Sequence, residues 1–127
     1  FSAAVGDYKA KKIAEIKIKK RDKINIELEK NVDILNYVSN HNSLRPKLVI
    51  GFAAETNNLE NYANQKLNEK NCDWIIANDV SNKNIGFDSD FNEVSIFYKN
   101  NKTEKLEYKP KSEISDELVE KIVNHLN

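Results

Sequence analysis

Two apolar runs of strand length, with an amphipathic segment between them, constrain this chain most. KLVIGFAA (47–54) and DWIIAN (73–78) are almost free of charge. Continuous apolar runs of this length mark strands covered on both faces, as in the centre of a parallel sheet. Between them, NNLENYANQKLNEK (57–70) places Leu59, Tyr62, Ala63 and Leu67 at helical spacing, with Thr56 or Asn57 expected as its cap. Strand, helix, strand in this order joins parallel neighbours.

The flanks extend the pattern. FSAAV (1–5) reads as the end of a buried strand, with a loop from Gly6-Asp7, and residues 8–22 show no clean period and read as loop. KINIELE (23–29) alternates, with Ile24, Ile26 and Leu28 on one face of a half-buried strand. VDILNYVSN (32–40) reads as a short helix. NEVSIFYK (92–99) and KLEYK (105–109) alternate about NNKT, a hairpin signal. A final helix carries the stripe Ile114, Leu118, Val119, Ile122 and Leu126, with Ser115, Asp116 and Glu117 at its start. The expected fold is a three-layer α/β sheet with a parallel core. A chain of 127 residues suffices for one domain with a core. There is no internal repeat, no low-complexity linker and no domain boundary. The chain opens at Phe1 inside an apolar run and contains no Met, so it is expected to be part of a longer polypeptide.

Charge is uneven. From Lys9 to Arg21 there are seven Lys or Arg against one acid, Glu15, yet the net charge is zero. Attraction to a polyanion must therefore be local. Nucleic acid is a weak candidate, because the basic run has no interleaved aromatics. A single cysteine, Cys72, rules out an internal disulfide and suits a reducing cytoplasm. The apolar runs are too short to span a bilayer. His41 and His125 are the only histidines, far apart in sequence, which makes a zinc site improbable.

Ligands of open α/β sheets sit at the carboxyl ends of strands. There the chain gathers Asp7 and the basic loop, then Glu55, Thr56 and Asn57, then Asn78 and Asp79. With three glycines and no Gly-rich phosphate motif, phosphate must be met by side chains. Lys17, Lys19 and Lys20 offer point charges; Lys66 and Lys70, four apart, share a helix face, which is either solvated or turned to an anion. Phe52 is either core or a ring that touches a base. Cys72 reads as a small apolar group at a strand entrance.

AAVGDYKAKKIAEIKIKK, EKNVDIL, GFAAETNNLENYANQKLNEKNCDWIIANDVS and GFDSDFNEVSIF, in that order, resemble the phosphopantothenate–cysteine ligase family over essentially the whole chain. In many bacteria that domain is the C-terminal half of a bifunctional coenzyme A biosynthesis protein, fused to a flavin decarboxylase. The resemblance implies a three-layer, Rossmann-like (ribokinase-like) α/β sheet with a parallel core and an added antiparallel hairpin. Residues 1–127 would be the C-terminal part of a single ligase domain, the N-terminal part of the fold being absent. It implies a CTP-dependent ligase that activates 4′-phosphopantothenate as an acyl-cytidylate and joins it to cysteine. Carried over by motif, the nucleotide site comprises Phe1, Ser2, Ala3, Asp7, Lys17, Val32, Asp33, Ile34, Leu35, Phe52, Lys66 and Lys70. Lys17 is the catalytic residue, on a loop that acts as a flap. Asp7 orients either the ribose or a magnesium-bound water. Mg2+ accompanies the triphosphate, and FMN enters only if a decarboxylase is fused upstream. A cytoplasmic homodimer is expected, with no membrane or nucleic-acid partner. The 92–109 hairpin is either a dimer element or packed on its own sheet.

The chain departs from the family in places. Val32 stands where the family has proline, and Gly6 where many members have Ala. The family's first half, with a Gly-rich strand–helix start and an Asn that processes the acyl-cytidylate, has no counterpart here. A non-catalytic CTP-binding fragment that needs a partner segment is therefore the alternative.

Overall fold

The computed structural model describes residues 5–19, 23–81 and 89–127, which cluster into two compact units, Phe1–Ile34 and Leu35–Asn127. The strand expected for FSAAV lies outside these residues, Val5 apart.

The first unit differs from expectation. Strand β1 (Tyr8–Ala10), in a segment expected to be loop, pairs antiparallel with β2 (Leu28–Lys30). The Lys11 N–H extends the ladder to the Glu27 carbonyl at 3.0 Å, and the Asn31 N–H donates to Asp7 at 2.8 Å. Ion pairs Lys9–Glu29 (3.3 Å) and Lys11–Glu27 (3.6 Å) flank the ribbon. Of KINIELE and its neighbours only Leu28–Lys30 is strand, and Ile24, Ile26 and Leu28 are exposed. Two strands of three residues make no face wide enough to bury an apolar stripe. Backbone pairing and cross-strand charges hold the ribbon instead, and neither shows in hydropathic period.

The second unit contains the sheet. After α1 (Ile34–Ser39) come β3 (Ile50–Glu55), α2 (Leu59–Glu69), β4 (Trp74–Asp79), β5 (Phe91–Tyr98), β6 (Thr103–Pro110) and α3 (Lys111–Leu126). The strand order is β3-β4-β5-β6, with β3 and β4 parallel and the other pairs antiparallel. Among the described residues β3 is thus an outer strand, not a central one. Period-two alternation sends neighbours to opposite faces. Ile75, Ala77 and Phe97 join Val49, Ala53, Ala63, Leu67 and Cys72 under α1 and α2. Trp74, Ile76, Val94, Ile96 and Leu106 join Ile114 under α3. The result is three layers, α/β/α, with one parallel pair and the expected hairpin continuing the sheet.

Two helix limits differ from the sequence reading. Asn58, not Thr56 or Asn57, is the N-cap of α2; it adopts a left-handed conformation (φ 45°) without a side-chain cap bond. Helix α3 begins at Lys111, directly after β6, ahead of the Ser115–Glu117 start. Of its stripe, Ile114, Leu118 and Ile122 pack on the sheet, whereas Val119 and Leu126 are exposed.

One side chain ties the amino ends of the strands to the carboxyl ends of the helices. Arg45 donates from Nε to the Ser39 carbonyl (2.8 Å) at the end of α1. Its other nitrogens reach the Asn71 carbonyl beyond α2 (3.2 Å), the Pro46 carbonyl (3.1 Å) and Asp73 Oδ2 before β4 (2.9 Å). The same Asp73 oxygen accepts the Val49 N–H at 2.7 Å, just ahead of β3. Both charged side chains are about three-quarters covered. Hydrogen bonds to charged groups contribute about 1.5–3 kcal/mol, and a stranded partner costs more than the bond gave. Arg45→Ala is therefore expected to lower unfolding free energy by roughly 2–4 kcal/mol in urea denaturation. Arg45→Lys recovers only part of this, since a point charge cannot serve four acceptors in a plane.

A second network holds α3 to the hairpin. Lys121 bonds Glu104 at 2.5 Å and lies 3.6 Å from Glu117, which also pairs with Lys109. The Tyr98 hydroxyl donates to Glu104 at 3.0 Å. The Lys121 hydrogen bond, then that of Tyr98, holds the Glu104 carboxyl below its ordinary 4.5. Lys109 does the same for Glu117. Burial first, then Glu104, pushes Tyr98 up to about 12. Depressed carboxyls stabilise the fold above 4.5, and that contribution is lost as pH falls through their folded values. The raised Tyr98 contributes fully below 10.0, and this is lost as pH climbs toward 12. Urea midpoints measured across pH should fall on both sides of this window. Glu104→Gln should shrink the acid limb to the shares of Glu117 and Asp79.

Candidate functional site

The parallel strands bring polar groups together at their carboxyl ends. Glu55 and Asp79 close β3 and β4 in register, and the Val80 N–H donates to the Glu55 carbonyl at 2.9 Å. Asp79 Oδ1 accepts from Ser81 twice, from the hydroxyl at 2.6 Å and the backbone N–H at 2.8 Å. These two bonds, the hydroxyl first, hold the Asp79 carboxyl below its ordinary 3.8. An exposed carboxylate thus stays ionised at the strand tip, beside the turn that leads into α2.

Further back along β3, a lysine of α2 bonds the strand backbone. Phe52, on the exposed side of β3, is 65% accessible and so is not part of the core. Lys66, in the last turn of α2, donates from Nζ to the Phe52 carbonyl at 2.9 Å. An ammonium has three N–H donors, and this bond uses one. Lys70 is the C-cap of α2. Its carbonyl accepts from the buried Ser39 hydroxyl, which also lies 2.8 Å from the Leu35 carbonyl. Leu35 packs on the core beneath α1. The methyl groups of Leu35 and Ile75 fill the place a Cβ would take at Gly51: the positions are 2.6 Å and 2.7 Å away.

The second unit therefore brings together Leu35, Phe52, Lys66 and Lys70 of the residues expected from sequence. Asp7, Lys17, Val32, Asp33 and Ile34 belong to the first unit, where Asp7, Lys17, Val32 and Asp33 are exposed. Asp7 precedes β1, and its carbonyl accepts the Asn31 N–H at 2.8 Å. Lys17 and Lys19 lie on irregular chain. The Val32 N–H donates to Asn31 Oδ1 at 3.1 Å, and Ile34 opens α1. Phe1, Ser2, Ala3 and Lys20 lie outside the described residues. Among the described residues no three His, Cys, Asp or Glu are placed to hold a metal ion. No described helix is long and apolar enough to cross a membrane.

Sequence reading passed over Gly51, Ser39 and Ser81. Gly51 carried a usable signal, because a glycine inside an apolar strand marks close approach of another group. Ser39 and Ser81 carried none, since serines are common in helices and turns alike.

Open α/β sheets take their ligands at the carboxyl ends of the strands, where this sheet carries Glu55, Asp79 and Ser81. Residues 1–126 match the family described as DNA/pantothenate metabolism flavoprotein C-terminal domain, and the chain belongs to that family. It is 46% identical over 122 residues to the coenzyme A biosynthesis bifunctional protein CoaBC of Haemophilus influenzae, covering 95% of this chain and 30% of that protein. The protein of the same name from Bacillus subtilis is 38% identical over 122 residues, again covering 95% and 30%. The chain thus spans less than a third of the length of these relatives. A crystal structure of the C-terminal domain of a coenzyme A biosynthesis bifunctional protein CoaBC superposes with a TM-score of 0.72 at 35% identity, covering 98% of this chain and 52% of that one. The DNA/pantothenate metabolism flavoprotein from Streptococcus pneumoniae superposes with a TM-score of 0.64 at 27% identity, covering 86% and 46%.

Ser81→Ala removes the stronger of the two bonds to Asp79. The Asp79 carboxyl should then titrate closer to its ordinary 3.8, as read by carboxyl 13C NMR. An unmoved titration would show that the backbone bond alone suffices.

Proposed function

We propose that this chain is the nucleotide-binding part of a phosphopantothenate–cysteine ligase, a cytoplasmic, homodimeric enzyme of coenzyme A biosynthesis. The reaction joins 4′-phosphopantothenate to L-cysteine, consuming CTP and releasing pyrophosphate and CMP. Residues 1–127 belong on this reading to one ligase domain. Family membership over residues 1–126 carries the proposal. Lys66, an ammonium held on the Phe52 carbonyl, supports it, because a triphosphate needs cations fixed in place.

In the first step a carboxylate oxygen of 4′-phosphopantothenate attacks the α-phosphorus of CTP, and the bond to pyrophosphate breaks. In the second the cysteine amine attacks the acyl carbon, CMP leaves with the bonding electrons, and the amine loses a proton. Both steps gather negative charge on phosphate oxygens. Lys17 is assigned to that charge during transfer, with Lys66 and Lys70 holding the triphosphate. One such preorganised donor is commonly worth about 3 kcal/mol of barrier. Phe52 offers its exposed ring to the base. Val32 to Leu35 present main-chain groups and apolar surface without a cation, which suits a base better than a phosphate. Asp7 is assigned to the ribose or to a water on the metal. On this reading the segment around Lys17 is the family's flap, whose part is to keep water from a mixed anhydride. A divalent cation is expected on the triphosphate itself, and no step is assigned to it.

Thermal unfolding of this chain with CTP, ATP or pyrophosphate, in magnesium, tests the reading. CTP at a hundredfold excess over its Kd should stabilise by about 2.7 kcal/mol, and ATP by less. Lys66→Ala should abolish most of the shift. Equal shifts with CTP and ATP would refute the cytidine assignment.

The length of the relatives favours a second reading, in which this chain binds CTP but turns nothing over without a further segment. Amide formation by the 127 residues alone would exclude it.

A further inference from the structure

We propose that Gly51 is a positioning residue of the nucleotide site, through which the packing of Leu35 sets discrimination for the nucleoside part of the ligand. The inference rests on the reading above. Gly51 immediately precedes Phe52 on β3, and its missing side chain admits the Leu35 Cδ2 methyl to 2.6 Å from the place a Cβ would occupy. Ile75 Cδ1 approaches the same place at 2.7 Å. A methyl group at residue 51 fits only if one of the two yields. Ile75 is fully buried in the middle of the sheet, whereas Leu35 is half-buried on a helix of six residues. The Leu35 side chain therefore yields.

The far end of α1 is fixed independently. The Ser39 hydroxyl reaches the Lys70 carbonyl, and the Ser39 carbonyl is held by Arg45. The Ser39 hydroxyl also bonds the Leu35 carbonyl, so displacement at Gly51 falls on the side chain of Leu35, one of the residues assigned to the nucleoside. Lys66 is held instead by the Phe52 carbonyl, a backbone group. A change at Gly51 should then separate the two halves of the ligand: the base and ribose lose fit while the phosphates keep their cations.

The experiment is calorimetric titration of CTP and of pyrophosphate, each with magnesium, into the native chain, Gly51→Ala, and Gly51→Ala combined with Ile75→Val. In Gly51→Ala, CTP affinity should fall about tenfold while that for pyrophosphate stays within about twofold. Adding Ile75→Val removes the other crowded methyl and should recover thermal stability without recovering CTP affinity. Parallel losses for both ligands, no loss for either, or recovery of CTP affinity by Ile75→Val would each overturn the proposal. Absence of CTP binding by the native chain would instead refute the nucleotide reading on which it rests. If Gly51→Ala fails to fold, Leu35→Ala, which leaves Gly51 intact and empties the notch, should give the same split between CTP and pyrophosphate, and parallel losses there would likewise overturn it.

Discussion

The architecture of the larger unit depends on the guanidinium of Arg45. Four backbone or carboxylate acceptors from α1, the turn after α2, the entrance of β4 and the chain before β3 converge on one planar group. A β-α-β crossover must set two parallel strands and a helix in register without a tight turn to do it. Here the register is set at the amino ends, by a charge that is largely covered. At the carboxyl ends the described bonds are local, Ser81 to Asp79 and Val80 to the Glu55 carbonyl. Support on one edge and chemistry on the other is the division that open α/β sheets impose.

The central unit was legible in the sequence for a physical reason. KLVIGFAA, DWIIAN and the helix between them are each dictated by burial on a single period, so hydropathy alone locates them. The hairpin was legible because its strands alternate about a polar turn, in which Asn101 takes the left-handed conformation (φ 63°). What was not legible depends on pairings that composition does not encode. Tyr8–Ala10 is a strand because Leu28–Lys30 lies opposite it with matching charges, not because of its own pattern. The early start of α3 follows from β6 passing straight into a helix through Pro110, a residue that begins helices readily, while the acidic Ser115–Glu117 segment lies a turn further in.

The candidate site was legible in part. Phe52 and Lys66 were singled out from a strand end and a lysine spacing, and a hydrogen bond joins them. The glycine beside Phe52 and the serine beneath Lys70 act through space that only the folded chain creates. The first-unit residues rest on motif likeness, since a basic, exposed segment has no burial pattern from which position could be read. Lys70 illustrates the limit of spacing arguments: it follows Lys66 by one turn, yet it stands where the helix ends, and its carbonyl is engaged by another helix.

The sheet separates two cores that share a backbone and almost nothing else. Ile75 and Ile76 are adjacent in sequence but belong to different clusters, one under α1 and α2 and the other under α3. Substitutions within one layer compete for the same volume and couple, whereas those on opposite sides add. The face under α1 and α2 can therefore change its packing while the packing under α3 stays as it is. Such a partition lets a lineage alter binding on one surface at little structural cost on the other.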